Sequence, residues 1–237
     1  TSTAFSNYHA LLARFEKRYA SGLTFIHAFT WSKAISDAAP FQGGDNDTGN
    51  RIQDMFNKKA DKGLAPYDHK LRLVASFLYE LPFGRGRRFA AGAAPALNHI
   101  IGGWQANGIA TFQTGYPITV RRSGDPLRVG TNGAVRPDMT CNPNLPHADR
   151  TIERYFKADC FVAPPDRFGN TGRSTVQGPG SNSWDLALFK NFAIREGLQL
   201  QFRSEYFNAF NHPNWNMPGR DIGAGSFGVV NSAQDPR

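Results

Sequence analysis

The sequence predicts an all-β fold: an antiparallel meander of long strands forming part of a transmembrane β-barrel, with short periplasmic turns and long extracellular loops. Three observations carry this expectation. Six segments alternate apolar and polar residues with period two. Each runs for about 9 to 11 residues, the length of a tilted strand crossing a bilayer. The connections between them alternate between hairpin-short and very long.

Taken in order, "HALLARFEKRY" sets Leu11, Ala13, Phe15 and Tyr19 against Arg14, Glu16 and Arg18. The joint "ASG", of hairpin length, leads into "LTFIHAFTWSK", where Leu23, Phe25, Phe29 and Trp31 share a parity with His27. Thr24, Ala28, Thr30 and Ser32 take the other parity with Ile26. A polar connection over residues 34 to 69 follows. "LRLVASFLYEL" then turns Leu71, Leu73, Ala75, Phe77, Tyr79 and Leu81 away from Arg72, Ser76 and Glu80.

The next joint, "PFGRGRRFAAGAAPALNHIIGG", lies on the short-turn side but exceeds a hairpin, and reads as an elaborated periplasmic turn. "WQANGIATFQT" opposes Trp104, Ala106, Ala110 and Phe112 to Gln105, Asn107, Thr111 and Gln113. A second polar connection, residues 115 to 183, leads to "WDLALFKNF", with Trp184, Leu186, Leu188 and Phe192 against Asp185 and Asn191, and Phe189 on the polar side. "REG" joins it to "LQLQFRSEYF", where Leu198, Leu200, Phe202, Ser204 and Tyr206 oppose Gln199, Gln201, Arg203 and Glu205.

Tyr19, Trp31, Tyr79, Trp104, Trp184 and Tyr206 sit at strand ends, where amphipathic rings of an interfacial girdle are expected. The competing reading is a soluble β-rich carbohydrate-binding or adhesion module, whose strands also alternate. Such a module does not ordinarily need loops of this length repeated on a single side.

Composition narrows the function classes. The apolar runs stop far short of the roughly 20 residues a membrane helix requires. The first residues, "TSTAFSNYHALLARFEKRY", lack the features of a signal peptide, so they suit a cytoplasmic protein or an internal piece of a longer chain. The net charge of +8 invites a nucleic-acid partner. The basic residues are spread out, however, and the densest cluster, "GRGRRF", lacks repeated aromatic platforms, so no nucleic acid is expected. Cys141 and Cys160 are too few for a zinc site, and a disulfide stapling a loop is the better reading.

Catalysis and cofactors find no support. The six histidines, His9, His27, His69, His99, His147 and His212, form no His-x-x-x-His pair, and no Gly-x-Ser-x-Gly elbow occurs. "DNDTG" at residues 45 to 49 hints at a calcium loop, but Phe56 stands where an EF-hand needs its closing Glu. "IGAGSFGVV" imitates the kinase glycine-rich loop, yet none of the other kinase motifs is present, and turn geometry explains its glycines better. In a barrel the polar faces line the lumen, which makes Arg14, Glu16, Arg72, Glu80, Gln105, Gln113, Arg203 and Glu205 lumen-facing candidates. Paired Arg and Glu there are expected to brace the wall or contact a plug. Substrate selection falls to the long loops, where Arg121, Arg122, Arg128 and Arg136 suit anionic lipopolysaccharide.

The motifs "HKLRLVASFLYELPFGRGRRF", "GGWQANGIATFQTGYPITV", "RTIERYFKADCFVAPP", "FGNTGRSTVQGPG" and "LQFRSEYFNAFNHPNW", in this order, resemble the C-terminal barrel region of TonB-dependent receptors of the Oar-like type. The resemblance spans nearly the whole chain. It implies a bacterial outer-membrane protein that moves a bulky substrate, whether inward or outward, with energy relayed by TonB. It also implies a plug and a TonB-contacting segment upstream, a last aromatic-ended strand downstream, and about six of roughly 22 strands within residues 1 to 237. "IGAGSFGVV" would then be a glycine-rich outer connection leading into that last strand.

Overall fold

The computed structural model describes residues 4–37, 52–54, 56–128, 130, 135–195 and 197–234. Its long strands are β1 (Ser6–Ala20), β2 (Leu23–Ser36), β3 (Leu71–Glu80), β4 (Trp104–Gln113), β5 (Ser181–Arg195) and β6 (Leu198–Tyr206). They pair in sequence order as one antiparallel, open sheet, to which Gly63–Leu64 adds a two-residue ladder beside β2. The expected meander is present, and β1 and β5, at 15 residues each, run beyond their periodic segments.

The β1–β2 turn shows why the meander closes so tightly. Ser21 and Gly22 both have positive φ, 55° and 82°, the handedness that matches the twist of the flanking strands. A side chain at Gly22 would also meet the Glu80 carbonyl at 2.9 Å, so glycine is required there. The β3–β4 connection is longer and carries the helix α1 (Pro95–Ile101). These two joints and the short β5–β6 joint lie at one end of the sheet, the end expected to be periplasmic.

Cross-strand register gathers the apolar parities on a single face. Phe25, Phe77, Gly108, Leu186 and Tyr206 form one row across β2 to β6. Phe15, His27, Ala75, Ala110 and Trp184 form the next, across β1 to β5. Among the described residues the C-terminal end of α1 lies on this face at Trp104 and Lys190, and no second sheet packs on it. Leu11, Phe15, Trp31, Leu71, Phe77, Leu200, Phe202 and Tyr206 remain exposed, while the small Ala110 on this face is buried. A β-sandwich would bury this face, so the expectation of a soluble module fails on its geometry.

The apolar core lies in the long loops instead. Ile118, Val120, Phe156, Phe161, Val176 and Val230 pack together at the end of the sheet opposite the short turns. Two-residue ladders stitch this cap: Pro117–Ile118 with Val176–Gln177, Asp138–Met139 with Phe161–Val162, and Asp221–Ile222 in parallel with Arg121–Arg122. These loops, expected as plain polar connections, therefore fold as a unit. "IGAGSFGVV" belongs to it: Phe227 meets Phe156 at 5.2 Å between centroids, and the Val230 amide donates to the Ile152 carbonyl at 2.7 Å. Its role is core packing within the cap, rather than a bare connection.

Tyr19 departs from its parity. A register shift between Lys17 and Ala20 turns it so that its hydroxyl donates to Glu80 Oε2 at 2.8 Å, and it braces the polar face instead of joining an aromatic girdle.

Gly108 is the gap over which the Phe77 ring lies: an added Cβ would sit 2.4 Å from Phe77 Cε1 and 2.9 Å from Leu186 Cδ2. Gly108→Ala in the full-length protein is expected to lower barrel stability by about 1–2 kcal/mol in denaturant unfolding. Combined with Phe77→Ala the two effects should be strongly non-additive. Additive losses would show that the ring does not depend on the glycine.

Candidate functional site

The polar face of the sheet assembles all eight residues expected in a lumen. Glu80, Gln105, Phe189 and Arg203 stand in one row, and Arg72 is directly opposite Gln113. Glu205 is opposite Ala187, and Glu16 opposite Ile26. Asp185, whose polar parity was legible, joins the Glu16 row through Ile26, Ser76 and Ile109.

Local pairing separates bracing groups from open ones. Arg14 Nη2 reaches Glu16 Oε2 at 2.9 Å, and Arg87 Nη2 reaches Glu80 Oε2 at 2.9 Å beside the Tyr19 hydroxyl. Gln105 donates to Asn107 at 2.7 Å. Arg203 donates to Gln201 at 2.6 Å, with its guanidinium over the Phe189 ring at 4.8 Å. Arg72 and Glu205 carry no ion pair among the described residues, so their charges are presented to whatever fills the space beside the wall.

Above the wall, a buried ion pair locks the loops together. Arg136 Nη1 and Asp61 Oδ1 lie 2.5 Å apart, each side chain only 1% exposed. The guanidinium also donates to the carbonyls of Thr171 at 2.8 Å and Ala60 at 3.0 Å. Gln53 completes the joint, accepting from the Arg136 amide at 2.7 Å and donating to the Gly169 carbonyl at 3.2 Å. Three loop segments far apart in sequence thus converge on one guanidinium, whose donors are satisfied as burial demands.

Other contacts tie the cap to itself and to the rim. The expected disulfide joins Cys141 and Cys160, with Cα atoms 5.1 Å apart. Closing that loop contributes about 3 kcal/mol on the chain-entropy account. Arg121 grips Asp221 through Nε at 2.6 Å. The Arg167 guanidinium, then the Asn170 amide, hold the Asp138 carboxyl below its usual range. Burial pushes the Asp68 carboxyl up, although the Ala34 amide donates to it at 2.6 Å. The His69 ring lies tilted against Tyr116, and its Nδ1 is 2.6 Å from the Thr114 carbonyl, fixing the first loop to the top of β4.

Between cap and rim opens a cleft of about 490 Å³, lined by His147, Arg150, Tyr155, Gln177, His212 and Trp215 among others. Burial raises the Tyr155 phenol's pKa, and Arg150 lies over its ring at 5.3 Å. Tyr155 is buried in the cap core, so the open lining is Trp215 with the Arg150 guanidinium, the His147 and His212 imidazoles and the Gln177 amide, which suits a polar or anionic ligand. Among the described residues, no three His, Cys, Asp or Glu side chains gather as a metal-ligating cluster. The calcium hint at residues 45 to 49 lies outside the described residues.

The outer membrane beta barrel domain model matches residues 1–237. This chain belongs to that family. It is a protein of the bacterial outer membrane, and its uncovered apolar face is the surface that meets lipid. No curated protein and no solved structure matches it.

Within this outer-membrane barrel domain, the expected lipopolysaccharide-facing arginines divide. Arg136 is consumed by the buried pair and Arg121 by Asp221, while Arg122 Nη1 donates to the Pro164 carbonyl. Arg128 remains exposed. Sequence reasoning missed Asp61, Gln53, Tyr155 and Trp215. Asp61, preceded by "KKA", looks like an ordinary solvated charge, and its partner is 75 residues away.

Arg136→Met leaves the Asp61 carboxylate buried without its partner, at a cost of about 3–5 kcal/mol to the cap. Amide exchange in residues 135–180 is expected to accelerate accordingly. The double variant Arg136→Met, Asp61→Leu should recover most of the loss. Wild-type protection in the single variant would show that the pair does not hold the cap.

Proposed function

We propose that this outer-membrane domain is part of the wall and cap of a TonB-dependent receptor of the Oar-like type, a transporter of a bulky substrate. The observation that carries the reading is the pairing of an open six-strand meander with a folded extracellular cap, arranged over a wall of mixed charge. Six strands enclose no lumen, so the wall belongs to a larger barrel. A cap with its own core and disulfide is a rigid recognition surface, which suits capture of a large ligand better than passive diffusion of small solutes.

In this reading the cleft lined by Trp215, His147 and His212 makes first contact with cargo, and Arg128 meets lipopolysaccharide. Arg72 and Glu205 face the plug or the passing substrate. Coupling to TonB runs through residues upstream of this segment. The sequence motifs quoted above carry the family-level resemblance, and the register of the polar wall supports it.

The full-length protein is expected to cross-link to TonB in intact cells, and its transport to stop when a protonophore collapses the inner-membrane gradient. A purified barrel that passes solutes by size in liposome swelling, with neither TonB nor energy, would be a diffusion porin and would overturn the proposal.

A further inference from the structure

Lys190 is an anomaly of the lipid-facing parity. It stands in register between Trp104 and Phe202, on the face that carries Leu186, Leu188 and Phe192. A lysine there faces hydrocarbon, where ionisable side chains are costly unless partnered. It is nonetheless only 3% exposed, because its ammonium donates to the carbonyls of Gly102 at 2.6 Å and Ile100 at 2.9 Å. The rings of Trp104 and Phe192 lie 4.7 and 5.0 Å from it. The Trp104 indole N–H donates to the same Ile100 carbonyl at 2.9 Å.

Two side chains of the lipid-facing parity therefore hold the C-terminal end of α1. The helix sits against the outer surface of the wall, not under the lumen. Its own apolar side chains continue that surface, with Leu97 and Ile100 47% and 68% exposed. Phe83 and Phe89, in tilted contact with ring centroids 5.5 Å apart, are exposed in the same connection. Residues 81–103 contain Arg85, Arg87, Arg88 and His99 but no Asp or Glu. Arg87 is engaged by Glu80, while Arg85 and Arg88 are exposed.

We propose that residues 81–103 form a lipid-docking element that rests on the periplasmic leaflet and binds the anionic headgroups of its phospholipids. Leu97 and Ile100 insert at the acyl boundary, and Arg85 and Arg88 contact headgroup phosphates, the arrangement of an interfacial amphipathic segment. Lys190 acts as the clasp that fixes the element to the barrel wall. The occupant follows from continuity with the lipid-facing sheet and from the one-sided charge.

The test uses the full-length protein in vesicles of phosphatidylethanolamine with one quarter phosphatidylglycerol. A bimane label on Ile100→Cys is expected to be quenched by doxyl-labelled lipid and shielded from aqueous iodide. In native mass spectrometry the protein should retain phosphatidylglycerol over phosphatidylcholine. Arg85→Gln with Arg88→Gln should weaken that preference by about fivefold per arginine, on the order of 25-fold together. Lys190→Met should leave the barrel heat-modifiable yet expose the Ile100 label to iodide. A label reached by iodide alone in the otherwise unaltered protein overturns the proposal, as does an anionic-lipid preference unchanged by loss of both arginines.

Discussion

Cross-strand register is the constraint on which the rest of this structure depends. Successive side chains of a strand point to opposite faces, so a slip of one residue would send a strand's whole apolar set to the other side. The observed pairings keep five such sets in step in the row from Phe25 to Tyr206. The result is a wide apolar surface backed by a polar one. Water tolerates the second and not the first, so the bilayer is the medium that completes the fold. Everything with a conventional interior is displaced to the cap, whose core of Val120, Phe156 and Val176 buries what the sheet does not.

The cap and the periplasmic connection solve opposite problems with similar chemistry. In the cap, a buried arginine is tolerated because Asp61 and two carbonyls meet it, and the cost of desolvation is offset only while all of them remain in place. At the other end, Lys190 is tolerated on an apolar face because two helix-terminal carbonyls and two rings enclose its ammonium. In both places a single cation fixes a connection to the scaffold. The wall between them needs fewer such fixtures, since its backbone ladder already holds Arg72 and Glu205 in position.

The six strands were legible because period two persists over many residues, and the Ser21–Gly22 turn because its residue types permit positive φ. The disulfide was legible from two cysteines in one polar stretch. The cap core was not. Ile118, Val120 and Val176 lie in or beside ladders of two residues, too short to show any period, and the segments they unite are far apart in the chain. The Arg136–Asp61 pair was hidden for the same reason, since nothing near either residue marks it as buried. Tyr19 was misread because a register shift of a single strand end is invisible to parity. Lys190 broke the alternation in plain view, and only the position of α1 explains how it can.

A cysteine scan along β3 in the full-length protein, in isolated outer membranes, tests the central claim most directly. With a membrane-impermeant thiol reagent, cysteines at the positions of Arg72, Val74, Ser76 and Leu78 are expected to react. Those at the positions of Leu73, Ala75, Phe77 and Tyr79 should stay protected until detergent is added. Uniform reactivity along the strand, or protection of the polar parity instead, would contradict a sheet whose apolar face meets lipid.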